Sequence, residues 1–397
     1  MNILFLMLAF PKEEEGSNLY NDIVSEVASQ GHNVTVVAPH QKETVLSKER
    51  GIKVLRVKSG TLLNVGPIQK GINNVLLPFY YKKAIKRFLL DETFDWIVSP
   101  TPPITLSSVV CSCKKWFNAK SYLILRDIFP QNAVDLGLIR NRFLHSYFRK
   151  KEIDLYQNSD IIGCMSQGNI DYVLQHNIMD SSKLVLLPNW IKYQEEDIPD
   201  LSILDDYGLQ DKFICLFGGN FGKPQAIEHI IDLAVSVKHI SDIVFLMIGT
   251  GTEFNRIKSL VTDLNLDNVV IQNRIPREDF LKLVPLCNVG LVNLSEKFTI
   301  PNIPSRTLAY WNCALPVLAC IDENTDMGEI IEKHNGGLFS IAGDLASYKK
   351  NLLYLFNNRE EAIRMGVNGR IAIQEVYNSN IITTLFLNQL IEFNENN

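Results

Sequence analysis

No stretch of this 397-residue chain is apolar for the roughly 20 residues that a membrane-spanning helix needs. An integral helical membrane protein is therefore not expected. Residues 1–10 are apolar but have no basic segment before them and stop at Pro11, so they read as a first strand rather than a signal peptide. Asp-x-Asp is absent, and nothing else asks for a divalent metal on a diphosphate. Also absent are G-x-S-x-G, the kinase signatures and the Gly-Lys-Ser/Thr ending of a Walker loop. The histidines show no metal-ligand spacing, and His32, after a helix-ending glycine, reads as structural. The seven cysteines are odd in number and scattered through apolar segments; Cys111 and Cys113 have no second pair. Buried free thiols in a reducing cytoplasm fit that pattern better than disulfides or a metal site. No short repeat or low-complexity tract is visible.

What is present is the profile of a globular protein, with 46% hydrophobic and 21% charged residues, and a length that suggests two domains. The net charge of −5 hides an asymmetry. Residues 1–188 hold 22 Lys+Arg against 17 Asp+Glu, whereas residues 189–397 hold 17 against 27. A basic first half suggests an anionic partner: phospholipid, polyphosphate or nucleic acid.

Short apolar runs at 2–7, 33–38, 53–57, 95–98, 121–125, 160–163 and 184–187 read as strands of a parallel sheet covered on both faces. A second series lies at 213–217, 243–248, 269–272, 289–293, 316–320 and 337–340. Helical stripes lie between: Leu19, Ile23, Val24 and Val27, with Ser17 as cap, then Ile227 to Val237, and then Phe254 to Leu264. Two such runs imply an α/β chain of two facing doubly wound, Rossmann-like domains. The boundaries expected are 1–188, 189–375 and a C-terminal helix, 376–397, crossing back to the first domain; the segment 370–393 reads as helical.

The stretch NIPSRTLAYWNCALPVLA, residues 302–319, organises the second half. Pro301 and Pro304 break the chain, Ser305 reads as an N-cap, and Arg306 falls in the first turn of a short helix that ends before Pro316. A cation there opposes the helix dipole, which makes sense if an anion sits against it. An ordinary surface arginine on a βα loop is the alternative.

Other loops stand at strand ends, where doubly wound folds bind ligands. Gly16, in AFPKEEEGSN, lets backbone approach a ligand, and the acidic triplet 13–15 is expected to face solvent. FGGNFGKPQ offers Gly218, Gly219 and Gly222 for a tight turn and Asn220 and Lys223 for an anion, though a plain turn explains it nearly as well. Arg274 and Ile275 could pair through their backbone with a flat heterocycle or form a routine loop. SPTPP, 99–103, gives a stiff wall. Asp127, in RDIFP, would face the interdomain cleft as a base or a partner for a sugar hydroxyl; an ion pair with Arg126 or a helix cap is the alternative.

Residues 61–90 contain Lys82, Lys83, Lys86 and Arg87 on one side of a helix and Tyr81, Ala84, Ile85 and Phe88 on the other. With the basic-aromatic run RNRFLHSYFRKK at 140–151, this suits an anionic bilayer surface; a solvated face on a core-packed helix is the alternative.

Taken in order, SPTPP, LRDIFPQNAVDLGLI (125–139), LPNW (187–190), GGNFGKPQ and the 302–319 stretch resemble the retaining glycosyltransferases of family 4, which have the GT-B fold. The likeness is greatest to the WbuB-type bacterial branch that builds O-antigen, capsule and other surface polysaccharides. It implies a UDP-sugar donor held by the second domain, and no metal. It also implies an acceptor sugar on a polyprenyl diphosphate held by the first domain, at the inner face of the cytoplasmic membrane, with no nucleic acid. By that resemblance Arg306, within Pro304, Ser305, Arg306 and Thr307, holds the diphosphate and is catalytic with Asp127. Gly16, Gly219, Asn220, Lys223 and Gly249 line the donor, Arg274 and Ile275 meet the base, and Glu329 is a candidate for the ribose.

Departures from the family pattern are specific. Its paired acids are Pro301 and Ala309 here, the phosphate-loop Arg and Lys read as Asn220 and Gln225, and the first-domain His is Arg126. Two rival readings follow: a soluble transferase on a small-molecule acceptor, and a non-catalytic protein that keeps the fold.

Overall fold

A computed structural model describes residues 1–12, 16–60, 67–195 and 200–396. The acidic triplet 13–15 and the apolar lead 61–66 lie outside them. Contacts divide the chain into two compact units, Met1–Pro188 with Ser379–Asn397, and Asn189–Asn378.

The first unit runs β1 (Asn2–Leu6), α1 (Leu19–Ser29), β2 (Asn33–His40), β3 (Val45–Glu49), β4 (Ile52–Lys58) and α2 (Pro67–Phe88). It continues with β5 (Trp96–Pro100), α3 (Ser107–Phe117), β6 (Lys120–Leu125), α4 (Gln131–Asp135), α5 (Arg142–Asn158), β7 (Ile161–Cys164), α6 (Gln167–His176) and β8 (Leu184–Leu186). The strands form one sheet in the order β3-β4-β2-β1-β5-β6-β7-β8. All pairs are parallel except β3–β4. β3 was not expected from the sequence: it is half-exposed and carries Ser, Lys and Glu, so it lacks the apolar run that marks the buried strands. Ile3 to Leu6 of β1 are fully buried, as a central strand covered on both faces requires.

Four connections, through α2, α3, α5 and α6, advance along the sheet in the same direction, and α1 goes the other way. Right-handed crossovers therefore put α2, α3, α5 and α6 on one face and α1 on the other. The capping residue of α1 is Asn18 and not the expected Ser17. The Asn18 side chain accepts from Tyr20 and Asn21, and the Asn21 side chain answers to the Asn18 N–H. Ser17 instead bonds Asp22.

The second unit runs β9 (Phe213–Asn220), α7 (Glu228–Ser236), β10 (Ile243–Thr250), α8 (Phe254–Asp263), β11 (Val269–Asn273) and α9 (Arg277–Leu283). It continues with β12 (Val289–Asn293), α10 (Arg306–Asn312), β13 (Val317–Ile321), α11 (Met327–His334), β14 (Gly337–Ile341), α12 (Leu345–Asn357) and α13 (Arg359–Ala372). Its six strands are all parallel, in the order β11-β10-β9-β12-β13-β14. The expected stripes of α7 and α8 reach the core through Ile230, Ile231, Ala234 and Ile257, but Leu264 ends up exposed beyond α8.

The single helix expected over 370–393 is broken. α13 ends in a π-turn, Ile373–Tyr377, and Asn378 is extended before α14 (Ser379–Asn396) begins. α14 belongs to the first unit and packs on α1. Phe386 lies 4.8 Å from the Tyr122 ring, whose hydroxyl donates to Gln389 at 2.7 Å.

Candidate functional site

In each unit the strand order reverses at one place, and there the loops leave in opposite directions and open a crevice. In the second unit that place lies between β9 and β12. These strands pair only at Cys215–Val289 and Leu216–Gly290, while β9 stays paired with β10 as far as Asn220. The edge that β12 abandons is taken up by Tyr310 of α10. Its hydroxyl accepts from the Gly218 N–H at 3.0 Å and donates to the Leu216 carbonyl at 3.1 Å. Gly290 makes room for the ring, since a Cβ there would lie 2.3 Å from Tyr310 Cδ2. Burial pushes the phenol up to about 12, so it stays a neutral donor.

Arg306 sits at the same opening. Its guanidinium carbon lies 4.3 Å from the centroid of the Phe217 ring. A Cβ at Gly219, whose φ is +143°, would come within 2.6 Å of Nη2. The side chain is half-buried, burial lowers its pKa, and no carboxylate pairs with it among the described residues. A desolvated cation with no counter-ion is a receptor for an anion. The helix itself contributes less than expected: α10 has seven residues, and Ser305 is already in helical backbone geometry and makes no side-chain cap.

The remaining expected donor residues are placed as follows. β9 continues through Gly218 and Gly219, so the predicted tight turn begins only at Gly222. Asn220 lies over Gly222, where a Cβ would meet its Nδ2 at 2.5 Å, and Lys223 is exposed. The Gln225 N–H donates to the Gly222 carbonyl at 3.1 Å, and its side-chain amide, turned with the nitrogen inward, would donate to the Gly222 and Asn220 carbonyls as well. Gly249 faces Gly219 across the β9–β10 pair, with no space for a Cβ. Arg274 is exposed and Ile275 half-buried just past β11, and Glu329 is exposed in the first turn of α11. Pro304 is half-buried and Ser305 exposed. Thr307 is buried, with its hydroxyl on Met327 Sδ at 3.8 Å and its N–H on the Pro304 carbonyl, so both polar groups are already used. The LPNW motif is tied to the same stretch, Asn189 donating to the Ile303 carbonyl at 2.8 Å.

In the first unit the reversal falls between β1 and β5. Gly16, with φ +90°, follows β1, and its carbonyl accepts from Arg50. Thr101, just past β5, is fully buried, and its hydroxyl accepts from the N–H groups of Arg126, at 2.9 Å, and Asp127, at 3.2 Å. Burial raises the Asp127 carboxyl and the Arg126 charge offsets part of that. Tyr20, in the first turn of α1, feels both charges, which places the start of α1 beside the end of β6. Asp127 caps no helix, because the next one, α4, starts after Pro130 without a side-chain cap.

Three members of these clusters went unnoticed in the sequence: Tyr310, Phe280 and Tyr20. Phe280 of α9 covers Gly218, whose Cβ would lie 2.2 Å from the ring. Only register could have found Tyr310, and nothing local marks Phe280. Among the described residues, no group of His, Cys, Asp and Glu could hold a metal ion, and every cysteine is free.

Residues 203–372, nearly all of the second unit, match the family described as Glycosyl transferases group 1. The chain is 25% identical over 275 residues to the probable glycosyltransferase WbjE of Pseudomonas aeruginosa, covering 67% of this chain and 66% of that protein. Sucrose-phosphate synthase of Thermosynechococcus elongatus superposes with a TM-score of 0.76 at 17% identity, over 99% of this chain and 98% of the other. HepE of Anabaena, solved in complex with UDP, gives 0.70 at 13%, over 99% and 100%. The structural likenesses show a GT-B-like α/β fold with two Rossmann-like parallel sheets. The matched domain and the glycosyltransferase relative support transferase activity.

Proposed function

We propose that this protein moves a sugar, with retention at the anomeric carbon, from a UDP-sugar to a saccharide carried on a polyprenyl diphosphate. The work belongs to assembly of a bacterial surface polysaccharide, such as O-antigen or capsule, at the inner face of the cytoplasmic membrane. One observation carries the reading: the half-buried Arg306 guanidinium, lying over Phe217 at the β9/β12 opening, has no carboxylate partner among the described residues.

In this reading Arg306 and the exposed Lys223 meet the diphosphate, on which negative charge grows as the sugar departs. Side-chain cations supply that neutralisation, so EDTA is expected to leave transfer unchanged. Arg274 and Ile275, joined by the Phe280 ring, receive the base, and Glu329 of α11 takes the ribose. Asp127, held by Thr101, orients a sugar hydroxyl. Partial withdrawal of the carboxyl from water strengthens such a hydrogen bond.

The test is calorimetric titration of UDP, followed by incubation with labelled UDP-sugars and a bacterial membrane extract. Arg306→Ala removes charge-assisted hydrogen bonds each worth about 1.5–3 kcal/mol, so UDP affinity should fall about 10- to 100-fold. Transfer of label to lipid should vanish with it. Undiminished UDP binding in the variant would refute the assignment. UDP binding without transfer to any acceptor in the extract would favour the non-catalytic reading.

A further inference from the structure

The basic side of α2 faces outward as expected, but the aromatic side expected beside it is sunk in the core. Tyr81, Ala84 and Ile85 are core residues, and the Tyr81 hydroxyl donates to the Met7 carbonyl at 2.7 Å. The outer stripe instead starts with Ile72, Val75, Leu76 and Phe79, all exposed, and continues in the same register with Lys83, Lys86 and Arg87. These positions recur at helical spacing along one face. The face is thus divided along its length, apolar first and basic after, over about 22 Å from Ile72 to Arg87 at the helical rise. Phe79 is 60% exposed, a large apolar area to leave in water.

A second such surface lies at the start of α5. Residues 141–144 are all exposed, Phe143 is 87% exposed, and the exposed Arg140 and Arg142 precede it. Cations at a helix N-terminus oppose its dipole, so they are not there to stabilise the helix. α3 packs against both α2 and α5, and all three lie on one face of the sheet. Neither 67–88 nor 136–151 contains an Asp or Glu, and each contains five Lys or Arg. No carboxylate pairs with Lys83, Lys86, Arg87, Arg140 or Arg142 among the described residues.

We infer that the outer stripe of α2 and the start of α5 form one two-pronged docking surface for an anionic lipid bilayer. Phe79 and Phe143 enter the interface, and the basic residues lie at headgroup level. The occupant follows from charge complementarity: apolar anchors beside cations that no carboxylate neutralises among the described residues match acyl chains beneath anionic headgroups. A second copy of this chain would bring like charges together. The inference rests on the proposed function only in expecting a lipid-carried acceptor, and it deepens that reading by naming the surface.

The experiment is co-sedimentation of the full chain with vesicles that contain no saccharide lipid. One set is phosphatidylcholine alone, and the other equal parts phosphatidylcholine and phosphatidylglycerol. The wild type should sediment with the anionic vesicles, not with the neutral ones, and salt should release it as screening shortens the reach of the charges. Each cation near such a surface is worth about a fivefold change in affinity, so Lys83, Lys86 and Arg87 all changed to Gln should weaken binding about 100-fold. Phe79→Ser with Phe143→Ser should weaken it at unchanged charge. Thermal stabilisation by UDP, read in every variant, shows that the fold and the donor site are intact. Equal binding to both vesicle types, or wild-type binding by the Lys/Arg variant, would overturn the inference. So would self-association of the wild type that the Phe variant abolishes, because a second copy would then cover the surface. Docking without sugar transfer removes only the proposed reaction; transfer without docking removes only this surface.

Discussion

Replacing Tyr310 by Phe removes one oxygen atom and keeps the ring, so no cavity opens and the effect isolates two hydrogen bonds. Gly218 is buried, and its N–H points to the side of β9 from which β12 has already departed. With the phenol gone, that N–H has no partner, and a buried unsatisfied donor costs about 1–3 kcal/mol. The second unit spans 189–378, a size at which each kcal/mol shifts Tm by about 2–4 °C. Tyr310→Phe is thus expected to lower Tm by about 2–12 °C. It should also weaken UDP binding several-fold, since Gly218 leads directly into Gly219, on which the Arg306 guanidinium rests. Gly290→Ala pushes the same ring from its other side and should reproduce both effects. Calorimetric melting with and without UDP measures them together. A Tyr310→Phe variant with wild-type Tm and wild-type UDP affinity would refute the claim that this hydroxyl replaces the missing strand.

Gly219→Ala places a methyl 2.6 Å from Arg306 Nη2, on backbone that L residues rarely adopt. UDP affinity, followed by titration, should drop on the order of tenfold through displacement of the guanidinium. His334 sets a pH dependence: burial lowers its pKa from the ordinary 6.5, and Tyr377 bonds its Nε2 at 3.3 Å. The unfolded chain binds this proton more readily. Its contribution is therefore complete above pH 6.5 and is lost as pH falls toward the lower folded value. His334→Gln should flatten the Tm–pH curve below pH 6.5, and a curve as steep as wild type would exclude this origin.

Much of this molecule could be read directly from its residues. Central strands of a covered parallel sheet are continuous apolar runs, so β1, β10 and β12 announce themselves, and the alternation with helical stripes gives the two Rossmann-like sheets. The half-exposed β3 gives no such signal. Arg306 was also visible, because a cation in a first turn breaks a local rule. The tertiary structure alone decided what that arginine rests on. Phe217 and Gly219 lie almost 90 positions away in the chain, and Tyr310 matters only because β12 leaves β9 after a short pairing. It also decided which side of α2 faces outward, since the sequence offers apolar residues on both sides and only packing against the sheet selects Tyr81 and Ile85 for the core. Local sequence fixes periodicity and propensity, which are properties of neighbours along the chain. Register and strand divergence are properties of neighbours in space, and they place the charge, the ring and the glycine at one opening.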